Sequence, residues 1–224
     1  MNQGKLAVQA TVKFALGLLL AGALLFLPAG GMHYRNGWLC LGILFVPILI
    51  LGIVLLFRSP ELLEKRLNAK EKENTQKGVI AVSGALFFVG FIVAGLDFRF
   101  GWSTVPVWVV VAASAVLLIS YAFYAEVMRE NAYLSRTVEV QRGQTVVDTG
   151  LYGIVRHPMY AVTIWLFLSI PLVLGSWWSL LCFVHYPVLM VLRIRNEERV
   201  LERDLTGYSD YKKRVRYRLI PFVW

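Results

Sequence analysis

Long stretches without a charged residue occupy most of the first half of this chain. They are Phe14–Met32, Trp38–Phe57, Gly78–Leu96 and Phe100–Ala125. Uncharged apolar runs of this length are typical of helices that span the hydrocarbon core of a membrane. We therefore predict four transmembrane helices within residues 1–125. The first is predicted to be retained, because no cleavage motif followed by a polar domain comes after it.

A fifth apolar stretch, His157–Leu192, is 36 residues long and lies between Arg156 and Arg193. As one helix it would be about 54 Å long, against a hydrocarbon core of about 30 Å. It must therefore fold back on itself, and Pro171 and Gly175-Ser176 supply a turn near its middle. The short arms fit either a full or a re-entrant hairpin. In both cases, the residues before and after the stretch meet at one surface.

The basic residues indicate the orientation of these segments. The chain has 23 Lys and Arg and a formal net charge of +9. With six segments and a cytoplasmic N-terminus, only Arg35 and Arg99 fall on the opposite side, as the positive-inside rule requires. Both termini are thus predicted to be cytoplasmic, in the inner (plasma) membrane if the source is a bacterium. Topology and attraction to membrane lipids explain the charge, so it does not predict nucleic-acid binding.

The pattern as a whole predicts an all-α fold, a polytopic membrane helical bundle of five to six transmembrane segments. Residues 1–125 contribute the N-terminal helices, with a charged cytoplasmic loop at residues 58–77. Residues 126–224 are predicted to be the catalytic region, with a loop, the helical hairpin 157–192 and a C-terminal cytoplasmic helix. No internal repeat or linker divides the chain further.

The charged loop at residues 58–77 has an amphipathic pattern of its own. Pro60 is placed to start a helix, and Leu62, Leu63 and Leu67 share one face, which predicts a short helix at the membrane interface. The two cysteines, Cys40 and Cys182, lie in apolar stretches without metal-ligand spacing. We therefore expect them to be small buried hydrophobic residues, and we expect no metal site.

Two polar clusters flank the apolar hairpin. The first contains glycines for turns, an arginine, a histidine, a proline that starts a helix, and two tyrosines. Its members are Gly150, Tyr152, Gly153, Arg156, His157, Pro158 and Tyr160. The second cluster is helical, and Arg193 and Glu197 share one of its faces. Taken alone, both also fit a bland interpretation: a snorkelling arginine with an aromatic belt, and a helix with ordinary ion pairs.

Together, the clusters offer the groups that S-adenosylmethionine needs. Its ammonium pairs with a carboxylate, its carboxylate with a guanidinium or backbone N–H groups, and its sulfonium with an aromatic face. Methyl transfer is an in-line displacement in which the enzyme mainly aligns the reactants. Neither a nucleophilic residue nor a metal is required for it.

The motifs and their order resemble a known superfamily. They are Arg156-His-Pro-Met-Tyr160, Glu197-Glu-x-x-Leu201, Gly207-Tyr-x-x-Tyr211, and Arg214-Val followed by Ile220-Pro221. The set, which covers roughly Glu126–Pro221, resembles the isoprenylcysteine carboxyl methyltransferase and phospholipid methyltransferase superfamily. The resemblance implies a membrane-helix fold with a cytoplasmic pocket for S-adenosylmethionine and a lipophilic acceptor that enters from the bilayer.

The resemblance also implies residue roles. Arg156, His157 and Arg193 are expected in the catalytic machinery, with Arg193 beside the acceptor and Arg156 orienting the loop or a carboxylate. The expected cofactor contacts are Gln144, Thr145, Val146, Val147, Tyr152, His157, Pro158, Met159, Tyr160 and Glu197, with Glu198 in support of Glu197. Tyr208 and Tyr211 are similar to a lid over the cofactor. The chain departs from the family pattern at Val162, where glycine is common, and at Gln144, where the eukaryotic enzymes tend to have histidine.

The sequence leaves the acceptor open. A carboxylate, as in a prenylated cysteine, is already ionised and could be held by Arg193; we favour this class. An amine, as in phosphatidylethanolamine, must lose a proton, so His157 or Glu198 would act as a base. An NADPH-dependent enzyme is a rival, because the fold also resembles the C-terminal part of sterol reductases. A transporter or scaffold is a further rival. Transporters tend to have charged residues inside their membrane segments, whereas here the predicted spans have none apart from Lys13 near one end, which disfavours this class.

Overall fold

The computed structural model describes residues 2–67, 74–135 and 137–224, which are helical with connecting turns and contain no strand. The helices are α1 (Gln3–Ala29), α2 (Arg35–Arg58), α3 (Pro60–Leu67), α4 (Asn74–Phe100), α5 (Val107–Glu130), α6 (Pro158–Val173), α7 (Trp177–Phe183), α8 (Tyr186–Asp204) and α9 (Tyr208–Arg214). Five segments of the described chain are long and apolar enough to cross a membrane: α1, α2, α4, α5 and the α7–α8 pair. The protein is thus a polytopic helical membrane protein, which confirms the predicted fold class.

The apolar stretch before Arg193 folds back on itself. Its first arm, α6, has only 16 residues and is about 24 Å long, shorter than a typical hydrocarbon core. The turn lies at Gly175 and Ser176, where Gly175 has a φ of 77°. A Cβ at Gly175 would lie 2.5 Å from Asn36 Nδ2, so both the backbone conformation and the space require glycine. Pro171 lies inside α6 rather than in the turn.

Two helices start at residues other than the first residues of the uncharged stretches that predict them. Helix α1 begins at Gln3 instead of Phe14, because Asn2 caps it and accepts a hydrogen bond from the Gly4 N–H at 3.2 Å. The charges of Lys5 and Lys13 do not stop the helix, and Lys13 Nζ donates to the Leu67 carbonyl at 2.6 Å. Helix α5 begins at Val107 instead of Phe100.

Helix α5 starts later than its uncharged stretch because α4 continues beyond Leu96, where the preceding uncharged stretch ends. It continues through Asp97 and Arg99 to Phe100, and the chain turns at Gly101, whose φ is 65°. The Gly101 N–H donates to the Asp97 carbonyl at 2.8 Å, which closes the last turn of the helix. A carboxylate is therefore buried within this membrane helix. The prediction from uncharged stretches had placed no carboxylate in a membrane helix.

The core of the bundle forms where α6 packs against α5 and where α4 packs against α1 and α7. The amphipathic helix predicted after Pro60 is present as α3, but its apolar face does not lie at a lipid interface. Leu62 and Leu63 are buried in a cluster that includes residues of α1, α2, α5 and α6. The remainder of the predicted loop, residues 68–73, lies outside the described residues. Cys40 is buried and Cys182 is half-buried; both are free.

Asp97 ties the end of α4 to the hairpin turn. Its side chain is 1% exposed. Its Oδ1 accepts from the Ser103 N–H at 2.7 Å, and its Oδ2 accepts from the Ser103 hydroxyl at 2.6 Å and from the Ser176 hydroxyl. Ser176 Oγ in turn accepts from the Ser179 N–H at 3.0 Å, which caps α7. The connection after α4 and the turn between α6 and α7 therefore share one buried carboxylate.

We predict that Asp97→Ala destabilises the protein. The substitution leaves the buried Ser176 hydroxyl and the half-buried Ser103 hydroxyl without this acceptor, at about 1–3 kcal/mol for a buried unsatisfied group. Thermal unfolding in detergent measures the effect. Ser114→Ala is the matched control, because the Ser114 hydroxyl bonds only to the Val110 carbonyl of its own helix. Equal melting temperatures for the two variants would show that the carboxylate does not tie these elements together.

Candidate active site

The two polar clusters meet through a buried ion pair between Arg156 and Glu198. Arg156 Nε and Nη2 each lie 2.8 Å from Glu198 Oε1, and the two residues are 5% and 4% exposed. His157 Nε2 lies 3.3 Å from the same oxygen, while Arg218 Nε donates to Glu198 Oε2 at 2.9 Å. The loop before the hairpin is thus joined to the helix after it, as the hairpin geometry predicted.

A C-terminal segment, residues 215–220, straps the loop from the other side. The carbonyls of Val215 and Arg216 both accept from Arg156 Nη1 at 2.7 Å. The backbone N–H groups of Arg156 and His157 donate to the carbonyls of Tyr217 and Arg218, each at 2.9 Å. The Arg156 guanidinium therefore donates three hydrogen bonds to protein partners, and its Nη2 also lies within ion-pair distance of Glu198.

A second chain of contacts connects Arg193, Tyr160 and Glu197. Arg193 Nε donates to the Tyr160 hydroxyl oxygen at 2.9 Å, and this hydroxyl donates to Glu197 Oε2. The Arg193 guanidinium also lies 5.6 Å from the centroid of the Tyr160 ring, and the His157 ring stacks against Tyr160 at 5.7 Å. The residue predicted beside the acceptor and the carboxylate predicted for the cofactor are therefore bridged by one tyrosine.

These side chains line a cavity of about 530 Å³. One part of its wall is mainly apolar and comes from α4, α6 and α8. Its members are Val79, Ile80, Ser83, Gly84, Phe87, Thr163, Phe167, Tyr186 and Met190. The other part contains more polar groups and comes from the segment between α5 and α6, from the end of α8 and from α9. It consists of Asn131, Tyr133, Leu134, Ser135, Thr137, Val138, Glu139, Gln144, Thr145, Val146, Val147, Leu201, Leu205, Tyr208 and Tyr211.

Buried tyrosines close the more polar part of the cavity. Burial raises the pKa values of Tyr152, Tyr208 and Tyr211 well above the usual range, so their hydroxyls stay protonated. The Tyr211 hydroxyl donates to the Tyr152 carbonyl at 2.8 Å, which ties α9 to the 3-10 turn Gly150–Gly153. Gly150 has a φ of 53°, and a Cβ there would lie 2.8 Å from the Glu130 carboxyl carbon.

Most of the residues expected from the sequence line this cavity. They are Gln144, Thr145, Val146, Val147, Tyr152, Arg156, His157, Met159, Tyr160, Arg193 and Glu197. Pro158 and Glu198 do not line it: Pro158 begins α6, and both oxygens of Glu198 face Arg156, His157 and Arg218. Glu198 is consequently a positioning residue of the wall, and its support of Glu197 stays a prediction.

Sequence reasoning missed three contributions to the cavity. Helix α4, which looked like a plain membrane helix, supplies part of the apolar wall, and the adjacent small residues Ser83 and Gly84 were its only local signal. Arg66 of α3 and the segment 131–139 were also missed. The strap at residues 215–220 acts through its backbone carbonyls, which carry no residue-type signal.

The fold and the site thus define a helical membrane protein with a partly open cavity that has a polar part and an apolar part. Residues 107–206 match the phospholipid methyltransferase family, a region that extends from the start of α5 to just past α8. The chain is also similar to the Delta(14)-sterol reductase TM7SF2 of Mus musculus, with 31% identity over 99 residues. That match covers 39% of this chain and 22% of the mouse protein, so the chain spans about a fifth of that relative's length. The family match covers 100 of the 224 residues of the chain.

We predict that Glu198→Ala strongly destabilises the protein. Removal of one partner of a buried ion pair costs about 3–5 kcal/mol, because the remaining charge is left uncompensated. Glu202→Ala on the same helix is the control, because Glu202 pairs with Lys212 at the surface and such pairs contribute at most about 1 kcal/mol. Thermal unfolding in detergent compares the two. A loss for Glu198→Ala no larger than that for Glu202→Ala would contradict this role.

Proposed function

We propose that this protein transfers the methyl group of S-adenosylmethionine to a lipophilic acceptor. The observation that carries the proposal is the bridge from Arg193 through Tyr160 to Glu197 in the cavity wall. It sets a carboxylate suited to an ammonium group beside a guanidinium suited to an anionic acceptor. We further propose that the site faces the cytoplasm, because most basic residues lie in the segments at this end.

The residues present fit the cofactor. Glu197 offers its carboxylate to the ammonium group, and Val146, Leu201 and Leu205 form an apolar slot for the adenine. Tyr160 presents an aromatic face and a hydroxyl oxygen within reach of a sulfonium. The Tyr208 hydroxyl, buried in the same wall, has no partner among the described residues. When bound, the cofactor supplies an electrophilic methyl group on a positively charged sulfur.

The chain's own residues act by holding and aligning. Glu197, fixed by the Tyr160 hydroxyl, sets the position of the cofactor's amino-acid end. Arg193, fixed by the same hydroxyl, sets the position of the acceptor's charged end. Because one tyrosine orients both groups, the reactants are held in a defined relative position, which is the main requirement of an in-line displacement.

We propose a carboxylate as the accepting group. A carboxylate is ionised at neutral pH and needs no base, and Arg193 supplies the matching positive charge. The apolar wall from α4, α6 and α8 would hold the hydrophobic part of the acceptor, which enters from the bilayer. A prenylated cysteine has this combination of groups.

A phospholipid amine is the second candidate, and the family match over residues 107–206 favours it. An ammonium group must lose its proton before it can accept a methyl group. Glu198 is already paired with Arg156 and Arg218. His157, which lines the cavity, is therefore the proposed base that removes this proton.

We predict that Glu197→Ala abolishes S-adenosylmethionine binding, because it removes the partner of the cofactor's ammonium group. Arg193→Ala is expected to retain binding and to lose turnover, because it acts on the acceptor. Calorimetry with purified protein in detergent measures binding of S-adenosylmethionine and, in a parallel arm, of NADPH. Transfer of a labelled methyl group to a farnesylated cysteine and to phosphatidylethanolamine measures turnover. Binding of NADPH alone would overturn the proposed function, and the reverse pattern in the two variants would overturn the role assignments.

We also predict that Gly84→Leu impairs transfer to lipophilic acceptors while S-adenosylmethionine binding is retained. Gly84 lines the apolar wall, and an added Cβ meets nothing within 4 Å, so a larger side chain enters the cavity without disturbing α4. We expect a loss in kcat/KM of roughly tenfold or more. Gly78→Leu is the matched control, because it has the same open surroundings on the same helix outside the cavity wall. An equal effect of both variants would contradict an acceptor site beside α4.

A further inference from the structure

Among the described residues, four buried side-chain atoms have no hydrogen-bond partner: Gln76 Oε1, Ser83 Oγ, Asn196 Nδ2 and the Tyr208 hydroxyl. Two of these residues, Ser83 and Tyr208, line the cavity. A serine hydroxyl on a helix can turn to a carbonyl of its own helix, as those of Ser114 and Ser120 do. A tyrosine hydroxyl cannot, because its ring fixes its position. The unpaired Tyr208 hydroxyl is therefore the more informative of the two.

Tyr208 differs in this respect from several other tyrosines of the fold. The hydroxyl groups of the buried Tyr34 and Tyr211 and of the half-buried Tyr121 each donate to a backbone carbonyl, and that of the half-buried Tyr160 donates to Glu197. Tyr208 is only 4% exposed, packed in a cluster with Leu205. A buried hydroxyl without a partner costs about 1–3 kcal/mol. Phenylalanine would fill the same space without that cost, so the hydroxyl points to a partner that enters the cavity.

The chemistry of that partner follows from the charges nearby. Burial, reinforced by the negative charges of Glu198 and Glu197, raises the pKa of Tyr208 far above its usual range, so its hydroxyl remains a donor. A protonated phenol hydroxyl can both donate and accept, and the stronger of its bonds to a charged ligand group is the one that it donates to an anion. Beside Glu197, which is proposed to bind the ammonium of the cofactor, the nearest acceptor on the same molecule is its carboxylate.

Arg156 is the residue that sequence reasoning offered for a carboxylate, and the structure leaves it little capacity. Three of its N–H bonds already donate to Glu198, Val215 and Arg216, and its Nη2 lies 2.8 Å from Glu198 Oε1. Its charge is balanced by Glu198 in a buried pair. A carboxylate brought to Arg156 would have to displace Glu198, which also holds Arg218.

We propose that the Tyr208 hydroxyl donates a hydrogen bond to the carboxylate of S-adenosylmethionine and so distinguishes it from analogues that lack this group. The inference rests on the proposed function. It assigns Tyr208 a direct binding role in place of a lid, and it leaves Arg156 the role of positioning the loop.

The test compares Tyr208→Phe with Tyr211→Phe in the full-length protein in detergent. Affinities are measured by calorimetry for S-adenosylmethionine and for decarboxylated S-adenosylmethionine, and stability is measured by thermal unfolding without ligand. Tyr208→Phe is expected to weaken the binding of S-adenosylmethionine by about tenfold or more, because a hydrogen bond to a charged group is lost. Its affinity for the decarboxylated analogue should stay within about twofold of that of the wild type, and its melting temperature should not fall.

Tyr211→Phe is expected to lower the melting temperature, because the Tyr152 carbonyl loses its donor. An equal loss of affinity for both ligands in Tyr208→Phe would overturn the carboxylate contact. A fall in melting temperature like that of Tyr211→Phe would show that Tyr208 is structural and would also overturn it. If the wild-type protein binds neither ligand, the proposed function itself fails. If the wild type binds S-adenosylmethionine and Tyr208→Phe binds it equally well, only the role of Tyr208 is overturned.

Discussion

The site depends on one buried ion pair, Arg156 with Glu198, between residues 42 positions apart in the chain. Desolvation makes such a pair costly unless its remaining hydrogen-bonding groups are also satisfied. Here they are: carbonyls of the strap at residues 215–220 accept from Arg156, and Arg218 donates to Glu198. The pair, the strap and the loop before α6 therefore form one unit, since removal of any of them leaves the others with unpaired groups.

The register of α8 converts this structural pair into a functional arrangement. Neighbouring residues on a helix point about 100° apart, so Glu197 and Glu198 cannot face the same surface. Glu198 faces the loop and is paired with Arg156 there. Glu197 and Arg193, four residues apart, both face the cavity. Two adjacent carboxylates of one motif thus have different tasks. The ion pair fixes the rotation of α8, and that rotation aims the cavity-facing residues.

The parts of the site that sequence could predict are those set by periodicity and length. The length of the stretch after Arg156 required a hairpin, and the helical period placed Arg193 with Glu197 on one face. The place of Asp97 inside α4 could not be predicted, because the prediction assumed that membrane helices lack charged residues. Its carboxylate is buried there and accepts hydrogen bonds from Ser103 and Ser176. The strap was hidden for another reason: it acts through carbonyl groups, which every residue has. Contacts of this kind are determined by the tertiary structure.

The charges of the cavity wall also bear on which cofactor it suits. Arg156 is compensated by Glu198, so it adds little net positive charge to the wall. Glu197 and Glu139 contribute carboxylates to the same wall, and Arg66 and Arg193 contribute guanidinium groups. The remaining charged groups of the wall are therefore of both signs. S-adenosylmethionine carries a single carboxylate together with an ammonium and a sulfonium. Under the proposed function, the carboxylates of the wall would face the cationic groups of this cofactor, and Arg193 would remain for an anionic acceptor.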